Sequence, residues 1–288
     1  MTETDSQTGE VIEEYEIYSD GESNGRVKHG YYKSYYENGE IWKAGNYESG
    51  TKDGQWVGYH DNGQLWQQRN YKDGQEVGEW VSYYTNGQIH KKGNYESGIK
   101  DGQWISYHDN GQVKVSKTLV DGKEDGQWVE YYENGQIWTE GNYEGGIKDG
   151  QWIDYDESGN KLNEKSYQNG KINGQWLRYY ENGKTRSETG YKGGIKDGQW
   201  VEYRDDGRTW RAGNYNNGKE DGKKEGQWLQ YYKGGNVFYG GNYKNGKLHG
   251  EWVWYDEDGN TKDEDIWADG RCVESCEGDW TETELVRD

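Results

Sequence analysis

Few residues in this chain could do chemistry. Its 288 residues include five histidines and two cysteines. His60 and His108 hold equivalent places in a repeated pattern, four strands apart, which is roughly 19 Å at ordinary strand spacing. A zinc ion needs its ligands within about 2.1 Å of one point. The two therefore read as separate surface histidines, and His29, His90 and His249 have no matching partners either. Cys272 and Cys276 lie at the end of the pattern and read as free thiols of a cytosolic chain, with a disulfide closing the C-terminal cap as the alternative. Asp256-Glu257-Asp258-Gly259-Asn260 glances at a calcium loop but lacks the glycine at the sixth place and the glutamate at the twelfth. No phosphate loop, Ser-His-Asp set or Cys-His pair stands out. The repeat is broken at Lys114–Leu119 and at an insertion within Gly222–Glu225, and neither break holds an acid–base constellation. The expectation is a chain without catalytic residues, bound metal or cofactor.

What must position any functional side chain is the repeat itself. A Gly–x–aromatic–x–x–Tyr segment begins at Gly30, Gly54, Gly78, Gly102, Gly126, Gly150, Gly174 and Gly198, always 24 residues apart, and again at Gly226 and Gly250. With that glycine as position 1, position 3 is Tyr32 in the first unit and then Trp56, Trp80, Trp104, Trp128, Trp152, Trp176, Trp200, Trp228 and Trp252. Position 6 is tyrosine throughout, from Tyr35, Tyr59 and Tyr83 to Tyr255. Positions 9 and 10 carry turn dipeptides such as Asn38-Gly39 and Asn134-Gly135. These predict two-residue type I′ turns, in which both residues take φ > 0. A longer glycine-containing turn is expected to lead to the next unit.

That turn pairs position 6 with 13 and position 3 with 16. Side chains alternate along a strand, so positions 3, 5, 7, 12, 14, 16 and 18 share one face, and 4, 6, 13 and 15 the other. Position 16 is Gly45, Gly93, Gly141, Gly213 or Gly241 in five units, and an indole across a strand glycine covers backbone that water would otherwise reach. Tyrosine at 6 is expected to meet Trp42, Trp66, Trp138, Trp210 or Phe238 at 13, each pair contributing roughly 0.2–1 kcal/mol. Both faces come out half aromatic and half polar. The predicted fold class is all-β: an elongated, single-layer antiparallel sheet of about ten tandem hairpins. Residues 1–13 read as a flexible acidic tail, 14–29 as a half-repeat cap, 30–271 as the repeats, and 272–288 as an acidic C-terminal cap.

These residues resemble the MORN repeat family in its bacterial-type variant, whose pattern is close to G-x-W-x-x-Y-x-x-N-G-x, a short strand, then G-x-Y. Gly126-Gln127-Trp128-Val129-Glu130-Tyr131-Tyr132-Glu133-Asn134-Gly135 and its continuation to Tyr143 form the cleanest copy. The resemblance covers roughly residues 30–271. It implies an antiparallel sheet with scaffolding or recognition duties; bacterial members include antitoxin-like proteins.

A second period of 48 overlies the first. Position 7 is tyrosine in the odd units (Tyr36, Tyr84, Tyr132, Tyr180, Tyr232) and His60, His108, Asp156, Arg204 or Asp256 in the even ones. Linkers after units one, three, five and seven end in Lys-Asp, from Lys52-Asp53 to Lys196-Asp197. Duplication of a two-unit segment would produce this. So would alternate hairpins in different environments, with the odd tyrosine row as the binding surface, and the two readings are compatible.

Composition narrows the partner. The net charge of -20 repels phosphate backbones and anionic lipid, which disfavours nucleic acid and anionic membranes and favours a basic protein. Aromatics make up 16% of the chain, far more than a disordered chain would carry. No apolar stretch spans a bilayer and no signal peptide is visible, so a cytoplasmic location is expected. The expected function is a non-enzymatic protein-binding scaffold, in its specific form an antitoxin or immunity protein. Glycan binding through exposed rings and self-assembly through the sheet ends are the alternatives.

Overall fold

In the computed structural model of the chain the described residues are 1–4, 10–18, 27–216 and 223–276. The acidic tail beyond residue 276, residues 5–9 of the N-terminal tail, residues 19–26 of the half-repeat cap and the start of the expected insertion at 222 lie outside them. Among the described residues every regular element is a β-strand. The chain divides into two compact units, Met1–Ile147 and Lys148–Asp288.

In the first unit, nine-residue strands alternate with eight-residue ones, as in Val27–Tyr35 and Ile41–Glu48, or Thr51–Tyr59 and Leu65–Lys72. Neighbours in sequence pair antiparallel in a single layer. Within the segment read as a tail, Thr2–Thr4 pairs with Val11–Tyr18, which in turn pairs with Val27–Tyr35. The second unit repeats the pattern, from Lys161–Gln168 to the terminal strand Arg271–Glu274.

The two kinds of turn are the reverse of those expected. At Asn38-Gly39 only the glycine has positive φ (+83°). The Gly39 N–H donates to Tyr36 O, and the Tyr36 N–H to Glu40 O, at 2.9 and 2.8 Å. This is a three-residue loop, a type I turn closed by a left-handed glycine and its bulge. Asparagine is there for its side chain: Asn38 Oδ1 accepts from the Glu40 N–H, and Asn38 Nδ2 donates to Asp61 O of the next hairpin. The two-residue turns lie between the units. Ser49 and Gly50 (φ +48° and +86°), Asp73 and Gly74, Ser97 and Gly98, and Asn169 and Gly170 all take the paired positive φ of a type I′ turn. Glu48 pairs directly with Thr51 across the first of them.

The bulge resets the register. Position 3 pairs with 16 as expected (Trp128 with Gly141), but position 6 pairs with 12 (Tyr131 with Ile137). Position 13 is left without a cross-strand partner in its own hairpin, and its ring meets position 7 instead of position 6.

A second irregularity builds the core. Between the pairs Ala44–Val57 and Asn46–Asp53, residues 54–56 stand against Gly45 alone, with Gly54 at φ +68°. This swings Trp56 over the glycine of the preceding hairpin. A Cβ built on Gly45 would lie 2.3 Å from the Trp56 ring, and Gly93, Gly213 and Gly241 are covered in the same way by Trp104, Trp228 and Trp252. Position 18 supplies an edge-on tyrosine: Tyr47 against Trp56, Tyr95 against Trp104, and Tyr243 against Trp252, with centroids 5.1–5.3 Å apart. Lys52, Lys100 and Lys148 lie over Trp56, Trp104 and Trp152 at 4.5, 4.5 and 3.7 Å. The Lys-Asp linkers of the 48-residue period thus set a cation on alternate indoles. In the second unit Trp228, Tyr243, Leu248, Trp252, Trp254 and Trp267 form one buried cluster.

Asp265 sits at position 16 of the last hairpin, opposite Trp252. It is 1% exposed, and its Oδ1 has no hydrogen-bond partner among the described residues. Burial, and then the charge of Asp263, raises its pKa above the ordinary value. Between the unfolded value near 3.9 and the raised folded value, the folded protein keeps a proton that the unfolded chain releases, so stability falls as pH rises through that window. Asp265→Asn should therefore unfold at a higher temperature than the parent at neutral pH, with the gap closing toward about pH 3. Thermal melts of both proteins across that range check this; a gap independent of pH would refute it.

Cys272 and Cys276, expected as thiols, are joined by a disulfide. Ser275 at φ +64° turns the chain back after the terminal strand and brings the two Cα atoms to 6.0 Å, within the range a disulfide spans.

Candidate binding edge

The five odd tyrosines do not stand free. In the first unit Tyr36 and Tyr84 donate their hydroxyls to the carbonyls of Tyr59 and Tyr107, one hairpin further on, at 2.8 and 2.7 Å. In the second, Tyr180 and Tyr232 reach Tyr203 O and Tyr255 O at 2.7 and 2.8 Å. Tyr132 packs against Trp138, with centroids 6.0 Å apart. Burial, followed by the carboxylate of Asp61 or Asp109, pushes the Tyr36 and Tyr84 phenols up, so both stay protonated donors. Even hairpins do the same task with other groups. His60 Nε2 lies 3.3 Å from Tyr83 O, His108 Nε2 lies 3.1 Å from Tyr131 O, and the Arg204 guanidinium donates to Tyr231 O at 2.8 Å. Asp156 and Asp256 instead accept from their own turns, through the N–H groups of Ser158 and Asn160, and of Asp258 and Asn260. Position 7 therefore ties one hairpin to the next where it is tyrosine, histidine or arginine, and closes its own turn where it is aspartate.

The freely presented rings are at position 13. Trp42, Trp66 and Trp138 are 39%, 36% and 45% exposed, each backed by position 7: Tyr36 at 6.1 Å, His60 at 6.4 Å and Tyr132 at 6.0 Å. Lys43 covers one face of Trp42 at 3.6 Å. His90 takes the place of the indole beside Tyr84 at 4.4 Å, and burial, then Lys91 and Lys114, lowers its pKa. In the second unit the same row holds Arg186 over Tyr180, Trp210 beneath Arg204, and Phe238 against Tyr232. Sequence reasoning placed these indoles against the position-6 tyrosines. Those tyrosines point backward instead: Tyr83 donates to Gln68, Tyr179 to Glu164 and Tyr203 to Glu188. With burial, the bond to Glu164 pushes the Tyr179 phenol up to about 12. The position-3 tryptophans, expected as structural, are half-buried or buried throughout.

Beside the position-13 rings, on the hairpin loops, runs an exposed acidic row at position 8. It comprises Glu37, Asp61, Asp109 and Glu133 in the first unit, and Glu157, Glu181, Asp205 and Glu257 in the second. Successive hairpins are two strand spacings apart, about 10 Å. Chemically, the edge offers flat apolar rings bordered by carboxylates. Among the described residues no group of three or more histidine, cysteine, aspartate or glutamate side chains could hold a metal ion, and no helix is long and apolar enough to cross a membrane.

The family described as MORN repeat variant matches residues 28–49, 52–73, 76–97, 100–121, 124–144, 148–169, 172–192 and 248–267. No curated protein matches the chain. Among solved structures, similarity is found to the TcdB2–TccC3–Cdc42 complex, at 13% identity and a TM-score of 0.20, over 91% of this chain and 17% of that one. TcdB2–TccC3 without its hypervariable C-terminal region matches at 13% and 0.17, over 93% and 19%. The Photorhabdus luminescens Tc holotoxin pore with a mutated TccC3 matches at 12% and 0.16, over 90% and 16%. The chain spans less than a fifth of the length of these solved chains.

Proposed function

Since this chain belongs to the MORN repeat variant family, whose repeats serve as scaffolds or binding modules, we propose that it is a non-enzymatic scaffold of ten hairpin units that binds a basic protein along its loop edge. The observation that carries this reading is the pairing of exposed Trp42, Trp66 and Trp138 with the acidic position-8 row. Tryptophan is enriched among residues that dominate interfaces. Carboxylates around it would steer a cationic partner and reject nucleic acid and anionic lipid. In its specific form the partner is a basic toxin and this chain its antitoxin or immunity protein. The reading includes action in the cytoplasm. Binding in place of catalysis suits carboxylates that recur at position 8 of eight hairpins, all but the third and the ninth, instead of converging at one place.

The test separates the exposed row from the tied one. A pull-down from source lysate should retain a basic protein that elutes with salt. Trp42→Ser, Trp66→Ser and Trp138→Ser together should lose it, each exposed anchor contributing about 30-fold in affinity at hot-spot strength. Tyr36→Phe with Tyr84→Phe removes only the hydroxyls, and should leave binding intact while costing about 1 kcal/mol of stability per bond. Retention of the same proteins by the tryptophan variant would eliminate the edge as the site.

A further inference from the structure

The face opposite the indole stack carries a hollow in the second unit that the loop edge does not use. Its floor is Gly240, paired with Leu229 on one side and Val253 on the other. Its rim is Gln227 and Asn242, directly opposite one another, with Asn236, Glu251 and Tyr255 around them; the volume is about 500 Å³. At the equivalent place in the first unit, Ala44 lies between Lys33 and Val57. There Tyr31, Asn46 and Gln55 ring a hollow of about 420 Å³. In most other hairpins this floor position carries a long side chain, among them Gln68, Lys92, Glu140, Glu164, Glu188 and Glu264. At Gly240 the place of that side chain is taken by a methyl group of Leu229, and the hollow lies beside it.

The lining selects the ligand. Side-chain amides present donors and acceptors together. Among the described residues, no hydrogen bond engages those of Gln227 and Asn242, although both are exposed. No cation lines the Gly240 hollow, which disfavours an anion, and one carboxylate is too little for a polycation. Leu229 and Val253 give an apolar floor. We propose that this hollow is a subsite for a neutral saccharide: the C–H face of a pyranose ring rests on the Leu229 and Val253 side chains, Leu229 lying over Gly240, and its hydroxyls bond to Gln227, Asn242 and Glu251. The volume falls within the range of small-molecule sites. The Ala44 hollow differs in its lining: Tyr31, Lys33 and Gln55 stand where the Gly240 hollow has Gln227, Leu229 and Glu251. The proposal is independent of the loop edge and its protein partner.

Saturation-transfer NMR with maltotriose, cellotriose, chitotriose and mannotriose at millimolar concentration tests it on the full chain. At least one of the four should receive saturation from the parent protein. Gly240→Glu must push Leu229 aside, its Cδ2 lying 2.4 Å from the added Cβ, and should weaken the signal about tenfold; Gln227→Ala with Asn242→Ala, on exposed side chains that leave the floor intact, should do the same. Trp66→Ser with Trp138→Ser should leave the signal unchanged. No transfer to any of the four trisaccharides, or equal transfer in parent, Gly240→Glu and the double alanine variant, overturns the proposal. Loss only in the tryptophan variant would also overturn it, and would move saccharide binding to the loop edge.

Discussion

Trp252→Ala is expected to cost about 3–5 kcal/mol, the range for removing a fully buried large aromatic. Trp252 is 1% exposed. Its ring covers Gly241, takes the edge of Tyr243 at 5.3 Å, and its indole N–H donates to Asn242 O at 3.1 Å. Alanine would remove all three contacts and leave a void between strands held only by their ladder. Denaturant titration followed by circular dichroism measures the cost. The matched control is Trp138→Ala: the same residue type at 45% exposure, where a surface substitution stays within about 0.5 kcal/mol. Because a repeat array is stabilised by nearest-neighbour terms, hydrogen exchange should accelerate around Val237–Ala268 and little elsewhere. Equal costs for the two alanine variants would mean that burial of the position-3 indoles does not hold the fold.

The second large effect comes from adding a single methyl group. A Cβ at Gly241 would lie 2.3–2.5 Å from three atoms of the Trp252 ring. The glycine does not have positive φ, so backbone strain plays no part. The indole must lift, and overpacking of this kind costs about 1–3 kcal/mol. Gly234→Ala is the control. It has nothing within 4 Å of the added atom and no positive φ, so it should be neutral or slightly stabilising through the unfolded chain. Loss of stability in Gly241→Ala should come with a change in tryptophan fluorescence, since the ring itself is displaced. Equal stability of the two variants would show that the indole has room to spare.

Much of this architecture is legible in the residues. The tryptophan–tyrosine spacing reads directly as all-β hairpins, and the family pattern agrees across eight segments. The opposition of position 3 and position 16 inside a hairpin follows from counting back from the turn. What does not follow is which tryptophan covers the glycine. That depends on the irregularity at Gly54, where three residues face one, and nothing in the residue types announces it. The turns mislead for a related reason. Asn38-Gly39 has the composition of a type I′ turn, yet Asn38 serves through its amide oxygen and nitrogen at ordinary φ, while Ser49-Gly50 takes the doubly left-handed form. The one-residue bulge that results moves position 13 out of its expected pairing. It exposes Trp66 and Trp138, and the same geometry engages the hydroxyls of Tyr36 and Tyr84 with backbone. The candidate site thus shifts by one row, from the tyrosines to the indoles beside them.

The contacts between hairpins also have a direction. Trp56 lies on Gly45 and bonds to Asn46, Tyr83 bonds to Gln68, and Tyr179 bonds to Glu164, so each hairpin grips residues earlier in the chain. The groups that reach forward, Tyr36 to Tyr59 and Asn38 to Asp61, need only a backbone carbonyl to arrive. A ribosome delivers the chain N-terminus first. Every new hairpin therefore emerges to find a finished cradle, and the donors waiting at its rim close over it once it has docked. The order of synthesis thus matches the order in which hairpins can dock, and only the forward-reaching donors wait for the hairpin that follows.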